Sequence, residues 1–445
     1  MKVAVIGGGI AGLAAAWELQ ERAEVTIFEP GRLGGKILTT DFCGHRVDEG
    51  PDAFITRTPE AVELCAELGL TGELVAPAAG RTLLWSGGRL RPLPEGLVLG
   101  VPRAMGPLLR SRLLSPLGLV RAGLDLVLPS SPSAGDVAVA ELVGRRFGDQ
   151  VTRRLVEPLV GGIHAARVDD LSAAATVPQL LAAANGTRSL LLGLRRQQAG
   201  AETGPAFLAP RGGVGRVVDR LVERLVGAGT WVRAQRAVRA RILADGRVDV
   251  DGDGPFGGVV LATGATETSR ILGDQAPIDL RDLESTSVVV VTLAFSGRDL
   301  PSPEGANGIL VPPGEGKLMT ACSFGSNKWP QWSGPGVTVL RVSAGRHGDD
   351  RAPGLGDADL VARLVDEVND ALGTHAGPVA MRVSRWPGSF PLYRVGHLER
   401  VERVQGDLAR RAPNVVLAGA SYGGAGIPAC IASGRRAARS LSAAP

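Results

Sequence analysis

The stretch VIGGGIAGLAAAWEL, from Val5 to Leu19, decides the fold class. The residues Lys2–Ile6, which overlap its beginning, predict a short buried parallel strand. Gly7, Gly9 and Gly12 then form the pattern G-x-G-x-x-G, and the following residues continue as a helix. The first glycine allows the tight turn, the second lets a pyrophosphate approach the backbone, and the third allows close helix–strand packing. The stretch therefore predicts a nucleotide-binding turn, because the N–H groups and dipole at a helix start attract phosphates.

A second strand and its terminal acid extend this prediction to a dinucleotide. Val25–Phe28 is typical of a strand, and Glu29 follows it twenty residues after Gly9. A carboxylate in that position can accept hydrogen bonds from a ribose. The glycine pattern alone is a weak signal, and Glu29 alone could be a solvated strand end. Strand, turn, helix, strand and acid in this order favour the dinucleotide.

A second glycine-rich turn, LAGASYGGAGIPACIASGRRA, lies at the far end of the chain, from Leu417 to Ala437. Asn414–Gly419 predicts a strand, and the glycines after it allow a close backbone approach. Ile427-Pro428 predicts the start of a helix over Ala429–Leu441, since proline is favoured in a first helical turn. The two glycine turns are expected to hold opposite ends of one ligand, and the alternative is a plain strand–helix connection.

Segments in the middle of the chain complete the nucleotide domain, which is therefore discontinuous. Phe207–Arg216 leads into a predicted helix over Val217–Val226, a strand is predicted near Trp231–Val232, and another covers Val259–Ala262. The predicted nucleotide domain comprises residues 1–75, 205–275 and 385–445. The fold class is α/β, a Rossmann-like domain with two further parts.

Those two parts are a mixed-sheet substrate domain and an inserted helical subdomain. Residues 76–91 and 276–384 form the first, with strands predicted at Ser285–Phe295 and Val337–Val342 as a roof over the cofactor. Residues 92–204 form the second, with helix starts near Ser133 and Ser172.

Composition excludes several classes of function. A net charge of +4 over 445 residues, with arginine pairs far apart, does not indicate a nucleic-acid groove. The four cysteines lack a CxxC pair and the five histidines lack the spacing of metal ligands, so we predict no disulfide or metal site and a cytoplasmic protein.

Leu97–Leu128 is apolar but contains four arginines, which predicts a helical segment, with a weak membrane-surface contact as the alternative. No stretch has about 18 consecutive apolar residues, so no transmembrane helix is predicted.

Two further motifs resemble a known superfamily. Arg32-Leu33-Gly34-Gly35-Lys36 and GHRVDEGPDAF (Gly44–Phe54) resemble the superfamily of FAD-dependent amine oxidases, phytoene desaturases and protoporphyrinogen oxidases. In that superfamily the R-x-G-G-[KR] motif lines the ribityl and flavin portion. The resemblance implies non-covalently bound FAD.

Longer motifs make the resemblance more specific and extend it over nearly the whole chain. Glu157–Leu180, Cys322–Pro330 and Arg385–Val401 are similar to the oxygen-dependent porphyrinogen oxidases. Leu99–Pro102 and Leu340–Asp350 are most similar to the soluble bacterial branch, which oxidises coproporphyrinogen III to coproporphyrin III in heme biosynthesis. The resemblance implies an oxidase that takes a porphyrinogen and O₂ and releases H₂O₂, in transient contact with the next heme-pathway enzyme.

The resemblance also implies site residues. The cofactor-binding residues it implies are Gly7, Gly8, Gly9, Ile10, Ala11, Gly12, Glu29, Pro30, Arg32, Gly34, Gly35, Lys36, Gly50, Pro51, Asp52, Val238, Thr263, Trp386, Gly419, Ala425, Gly426 and Ile427. The candidates for substrate contact are Arg57, Arg81, Lys328 and Ser343. We identify no general base and no metal ligand.

Two departures from the family patterns bear on the substrate. Amine oxidases carry a flavin-contacting lysine where this chain has Val290, which counts against amine chemistry. Porphyrinogen oxidases often place a large side chain at the position of Ser343. The resemblance therefore does not determine the shape of the pocket. The alternatives are a protoporphyrinogen IX oxidase, another flavin enzyme such as an amine oxidase or carotenoid desaturase, and a non-catalytic flavin-binding protein.

Overall fold

A computed structural model describes residues 1–78, 80–128, 135–197, 204–234, 239–297, 300, 303, 305–332, 334 and 336–442. The strands are β1 (Lys2–Ile6), β2 (Glu24–Glu29), β3 (Thr39–Phe42), β4 (His45–Asp48), β5 (Phe54–Ile55), β6 (Leu74–Val75), β7 (Arg81–Trp85), β8 (Leu90–Pro92), β9 (Leu97–Val98), β10 (Val101–Pro102), β11 (Phe207–Pro210), β12 (Trp231–Ala234), β13 (Ala240–Ile242), β14 (Val248–Val250), β15 (Asp253–Phe256), β16 (Gly258–Leu261), β17 (Ser285–Ser296), β18 (Ala306–Leu310), β19 (Met319–Phe324), β20 (Val337–Ala344), β21 (Pro378–Pro391) and β22 (Val415–Leu417).

The α-helices are α1 (Ile10–Leu19), α2 (Glu60–Glu67), α3 (Met105–Ser111), α4 (Pro116–Gly123), α5 (Val139–Phe147), α6 (Asp149–Val151), α7 (Gly162–His164), α8 (Ala173–Thr176), α9 (Pro178–Gly186), α10 (Leu190–Gln197), α11 (Gly215–Gly227), α12 (Ala265–Leu272), α13 (Gly325–Lys328), α14 (Arg351–Gly354), α15 (Asp357–Leu372), α16 (His397–Arg411), α17 (Ala420–Gly423) and α18 (Ile427–Ser442). A π-helix covers Thr152–Gly161.

The chain divides into two compact units. Unit 1 comprises Met1–Pro77, Pro205–Ser285 and Leu398–Pro445, and unit 2 comprises Ala78–Gly204 and Thr286–His397.

Unit 1 is built on a parallel sheet of five strands in the order β12-β2-β1-β16-β22. Each neighbouring pair is parallel, and β1 pairs from Val3 to Ile6 with Gly258–Leu261 of β16. The β1 residues Val3–Ile6 are fully buried, as expected for a parallel strand covered on both faces. The predicted strands at Lys2–Ile6, Val25–Phe28 and Val259–Ala262 are confirmed within one or two residues.

Helices α1 and α18 pack directly against each other in unit 1, and small residues allow it. A Cβ at Gly434 of α18 would lie far inside contact distance of the Ala11 carbonyl oxygen in α1. The apolar residues at 217–226 form a helix as predicted, since α11 buries Val217, Val218 and Leu221. Helix α18 starts at Ile427 as predicted, whereas the short helix α17 before it was not predicted.

Unit 2 contains a mixed sheet of seven strands in the order β21-β17-β20-β19-β18-β7-β8. Its neighbours are antiparallel except β18 and β7, among the pairings that the structure describes. Helix α15 contributes Leu360 and Leu364 to a core with Leu293 and Leu340 of the sheet. The predicted strands at Ser285–Phe295 and Val337–Val342 correspond to β17 and β20.

The rest of unit 2 is mainly helical, as the sequence predicts for residues 92–204. Ser172 caps α8, since its hydroxyl accepts a hydrogen bond from the Ala175 N–H at 2.9 Å. Ser133, the other predicted helix start, lies outside the described residues. Helices α3 and α4 lie in the segment Leu97–Leu128, with Leu117 and Val120 of α4 strongly exposed. Among the described residues, no helix is long and apolar enough to cross a membrane.

Candidate functional site

The carboxyl ends of the parallel strands of unit 1 bring together the residues that the sequence predicts for a nucleotide. From β1 the chain first adds β2 and then β12 on one side, and later adds β16 and β22 on the other. The strand order therefore reverses between β1 and β16. Ligands of open α/β sheets bind outside the carboxyl ends of the strands at such a reversal.

The glycine turn after β1 has the geometry that close approach requires. Gly7 has φ +107°, and a Cβ there would lie 2.7 Å from the Ala262 carbonyl oxygen. A Cβ at Gly12 would overlap the Gly7 carbonyl oxygen. Gly9 differs, because its φ of −71° suits any residue and no atom lies within 4 Å of a Cβ there. Gly7 and Gly12 are thus needed for the fold, and Gly9 leaves an open space beside the helix start.

The first turn of α1 is free to bind an anion. No side chain caps it at Gly9, and its first turn contains no acidic residue. Ile10 and Ala11, two of the predicted cofactor-binding residues, form this first turn and are buried. The N–H groups at a helix start need acceptors, and phosphate oxygens can supply them.

Glu29, at the end of β2, lies directly beside the glycine turn. Its Oε2 accepts a hydrogen bond from the Gly8 N–H at 2.7 Å, and its Oε1 accepts one from the Gly31 N–H at 2.9 Å. Each carboxylate oxygen retains a second lone pair, so Glu29 can also accept from ribose hydroxyls. Pro30, another predicted cofactor-binding residue, lies between Glu29 and Gly31 in the chain.

The segment Arg32–Lys36 is held against the same turn. The Gly34 N–H donates to the Gly8 carbonyl oxygen at 2.7 Å, and a Cβ at Gly35 would lie 3.2 Å from the Gly9 Cα. The Arg32 guanidinium donates to the carbonyl oxygens of Leu33, Gly35 and Ile37. In this structure Arg32 therefore stabilises the loop, and its contact with a cofactor stays a prediction.

Lys36 faces the other glycine-rich region, which its sequence position did not suggest. The Lys36 ammonium is near enough to the Cys430 sulfur for the two groups to interact electrostatically. Cys430 is in α18, and its Sγ lies 3.9 Å from the carbonyl oxygen of Gly424, which precedes that helix. Burial raises the pKa of the Cys430 thiol. The motif Arg32–Lys36 and the start of α18 thus lie side by side.

The turn after β22 reaches the same edge of the sheet. Gly419 has φ +109°, and a Cβ there would lie 3.8 Å from the Cβ of Ala11 in α1. Gly426 has φ +106° and open space at its Cβ position, and Ala425 before it is exposed. Ile427 is buried at the start of α18. The two glycine turns, from opposite ends of the chain, are neighbours in unit 1.

Side-chain hydroxyls that the sequence analysis missed stabilise this edge. The Tyr422 hydroxyl donates to Thr268 Oγ1 at 2.8 Å, and Thr268 Oγ1 lies 2.8 Å from Thr263 Oγ1. Burial raises the pKa of the Tyr422 phenol, so it stays protonated and can donate. Only Thr263, which follows β16, was predicted, because Thr268 of α12 and Tyr422 of α17 come together only in the fold. Gly50, Pro51 and Asp52 form a half-buried loop between β4 and β5.

Of the remaining predicted residues, one lies outside the described residues, one is in unit 1 and four are in unit 2. Val238 lies outside the described residues, and Trp386 is on β21 of unit 2. Among the substrate candidates, Arg57 is exposed in unit 1, Arg81 begins β7, and Ser343 is in β20. Two strands separate β7 from β20, and the register places Leu84, not Arg81, across from Ser343. Arg81 and Ser343 are therefore more than about 14 Å apart. Lys328 ends α13, and its ammonium lies 5.5 Å from the centre of the Trp329 ring.

The described residues of this edge fit a dinucleotide. An uncapped helix start faces open space at Gly9, and a carboxylate stands where a ribose would be held. Among the described residues, no group of three or more His, Cys, Asp or Glu is placed to hold a metal ion.

Comparison with known proteins decides the family. The profile of the flavin containing amine oxidoreductases matches residues 10–442. The chain belongs to this family. Coproporphyrinogen III oxidase of Bacillus subtilis is 32% identical over 98% of this chain and 96% of that protein. Coproporphyrinogen III oxidase of Mycobacterium tuberculosis is 35% identical over 98% of this chain and 96% of that protein.

A solved structure gives the same result for the fold of this flavin containing amine oxidoreductase. A crystal structure from Exiguobacterium sp. 255-15 superposes with a TM-score of 0.89 at 30% identity, over 99% of this chain and 98% of that one. The predicted α/β flavoprotein fold and the predicted class, an oxidoreductase with FAD as cofactor, are confirmed.

Replacing Glu29 with alanine tests the position of the ribose. We expect Glu29→Ala to weaken FAD binding about 10-fold, because one charge-assisted hydrogen bond is worth about 1.5 kcal/mol. Titration of FAD into the apoprotein, with Tm as the check on folding, measures this. Glu24→Ala is the control, since Glu24 is at the other end of β2 and contacts only Lys2, at 4.0 Å, in the ion pairs described. Equal affinity for FAD in both variants would show that Glu29 does not bind the ribose.

Proposed function

We propose that this protein is an FAD-dependent oxidase that converts coproporphyrinogen III to coproporphyrin III in heme biosynthesis, with O₂ as acceptor and H₂O₂ as product. The similarity to two coproporphyrinogen III oxidases over nearly the full length of all three chains carries the proposal. Protoporphyrinogen IX oxidation is the second candidate, since the two substrates share the macrocycle and differ only in side chains.

The chemistry is a six-electron oxidation without group transfer. Coproporphyrinogen III loses six hydrogens, so one porphyrin corresponds to three O₂ consumed and three H₂O₂ formed. When bound, FAD supplies the hydride acceptor and passes the electrons to O₂. The chain itself binds and orients: the helix start at Gly9 and the carboxylate of Glu29 would hold the dinucleotide part of the cofactor.

The functional domains and substrate contacts are part of this proposal. Residues 1–75, 205–275 and 385–445 would bind FAD, and residues 76–91 and 276–384 would bind substrate, with 92–204 as a helical subdomain. Arg57, Arg81 and Lys328 are proposed contacts for propionates, and Ser343 is proposed to face the ring. FAD is proposed to be non-covalently bound, because Cys430 lies within α18.

Stoichiometry tests the reaction class. We expect the purified yellow protein, given coproporphyrinogen III in air, to form three H₂O₂ for each coproporphyrin III. Porphyrin absorbance and a peroxide assay on the same sample measure the ratio, corrected for spontaneous oxidation in a sample without protein. Porphyrin formation no faster than in the sample without protein would contradict the proposed function.

We also propose a cytoplasmic location, with a transient contact to the next enzyme of the pathway. The exposed Leu117 and Val120 of α4, with Arg110 and Arg112 nearby in sequence, favour at most a salt-sensitive contact with a membrane surface. Cell fractionation should recover the protein in the cytosolic fraction. Pelleting that resists carbonate would contradict this location.

A further inference from the structure

A small crevice lies within unit 2, between the π-helix region and the end of β20. Its lining includes Glu157, Gly161, Gly162, Ala165, Gly345 and Arg346. Its enclosed part has room for about one water molecule, which is also the scale of a carboxylate oxygen. The predicted cofactor-binding and substrate-contact residues do not include its lining, although Glu157 and Arg346 lie in the family motifs Glu157–Leu180 and Leu340–Asp350.

Arg346 lines this crevice, and its guanidinium has no directly bound anionic partner among the described residues. It makes no hydrogen bond, and no ion pair within 4 Å, with another of the residues that the structure describes. The residue is half-buried, and burial lowers the pKa of its guanidinium. A cation removed from water without a partner is costly, so an anion that enters the crevice would be stabilised.

The two acids nearest to Arg346 are already engaged elsewhere. Glu157 Oε2 accepts from Arg153 Nη1 at 2.9 Å, and Glu157 Oε1 accepts from the Val168 N–H at 3.3 Å. The Asp349 carboxylate accepts from Arg351 Nε at 2.8 Å and from Arg351 Nη2 at 2.7 Å. Both carboxylates act on Arg346 only at longer range, so neither neutralises it directly.

The backbone around the crevice is built from small residues in unusual conformations. Gly345 has φ +95°, and a Cβ there would lie 2.9 Å from the Ser287 carbonyl oxygen. A Cβ at Gly161 would lie 2.7 Å from the Ala166 carbonyl oxygen, and Ala165 has φ +49°. Gly161, which lines the crevice, is the last residue of the π-helix, a form of helix found frequently at functional sites.

We propose that this crevice binds one carboxylate of the substrate and that Arg346 is the residue that holds it. The inference rests on the proposed function, because a porphyrinogen carries its carboxylates as propionates. Arginine suits this role, since its planar guanidinium donates two parallel hydrogen bonds to a carboxylate. Arg346 is thus a specificity-determining residue that the sequence analysis did not select.

Binding of the stable product to the holoenzyme tests the proposal. We expect Arg346→Gln to raise the Kd for coproporphyrin III and the KM for coproporphyrinogen III about 10-fold or more, with kcat within about 2-fold. Arg346→Lys should recover part of the affinity, because it keeps the charge but loses the bidentate geometry. Arg363→Gln, on the exposed side of α15, is the matched control and should behave as the wild type.

Two further readouts separate the possible results. Flavin content and Tm unchanged in Arg346→Gln support a binding role, whereas a loss of both together with kcat would show a structural role and overturn the proposal. Kd and KM within about 2-fold of the wild type would also overturn it. If the wild-type holoenzyme oxidises coproporphyrinogen III in that case, only the role of Arg346 fails. If the wild type neither binds nor oxidises these compounds, the proposed function itself fails, and the proposal with it.

Discussion

Gly9→Val is expected to abolish tight FAD binding and leave a folded apoprotein. The backbone at Gly9 has φ −71° and ψ 175°, a conformation that valine adopts readily, and no atom lies within 4 Å of its Cβ position. A valine side chain would instead occupy the space beside the helix start, where a pyrophosphate must approach the backbone. We expect the affinity for FAD to fall about 100-fold or more, which corresponds to about 2.7 kcal/mol.

The measurement is the Kd of FAD for the apoprotein, together with Tm of the apoprotein. Gly227→Val is the matched control, because Gly227 ends α11 and also has no atom within 4 Å of its Cβ position. Gly12→Ala gives the opposite contrast: its methyl group would overlap the Gly7 carbonyl oxygen, so the apoprotein itself should be destabilised. Wild-type FAD affinity in Gly9→Val would show that the pyrophosphate does not approach this turn.

The local part of the nucleotide site could be predicted from the sequence. Strand, glycine turn, helix and Glu29 are consecutive, so their pattern of apolar residues and glycines fixes their geometry almost without the rest of the chain. The predicted start of the last helix at Ile427 was correct for the same reason, since proline in a first turn is a local signal.

Contacts between distant segments could not be predicted. Lys36 and Cys430 lie near opposite ends of the chain and come together only in the fold, where α18 packs closely against α1 at Gly434. The pairing of Tyr422 with Thr268 likewise joins segments 154 residues apart. Arg346 lies in the family motif Leu340–Asp350, but only the fold shows that its neighbouring acids are engaged with Arg153 and Arg351. Single residues become informative when their partners are known.

A preference for coproporphyrinogen III over protoporphyrinogen IX is the second large effect that we expect. The first substrate carries four propionates and the second carries two, with vinyl groups in place of the others. Two additional carboxylate contacts, worth about 1 kcal/mol each, would favour coproporphyrinogen III about 30-fold. Desolvation of the carboxylates opposes this gain, and a well-paired arginine such as Arg346 would limit that cost.

The ratio of kcat/KM for the two porphyrinogens, measured with one preparation of holoenzyme under one oxygen supply, tests the central claim most directly. The proposed function predicts a ratio of about 30 or more in favour of coproporphyrinogen III. Equal values, or a higher value for protoporphyrinogen IX, would contradict it and assign the protein to the second candidate function.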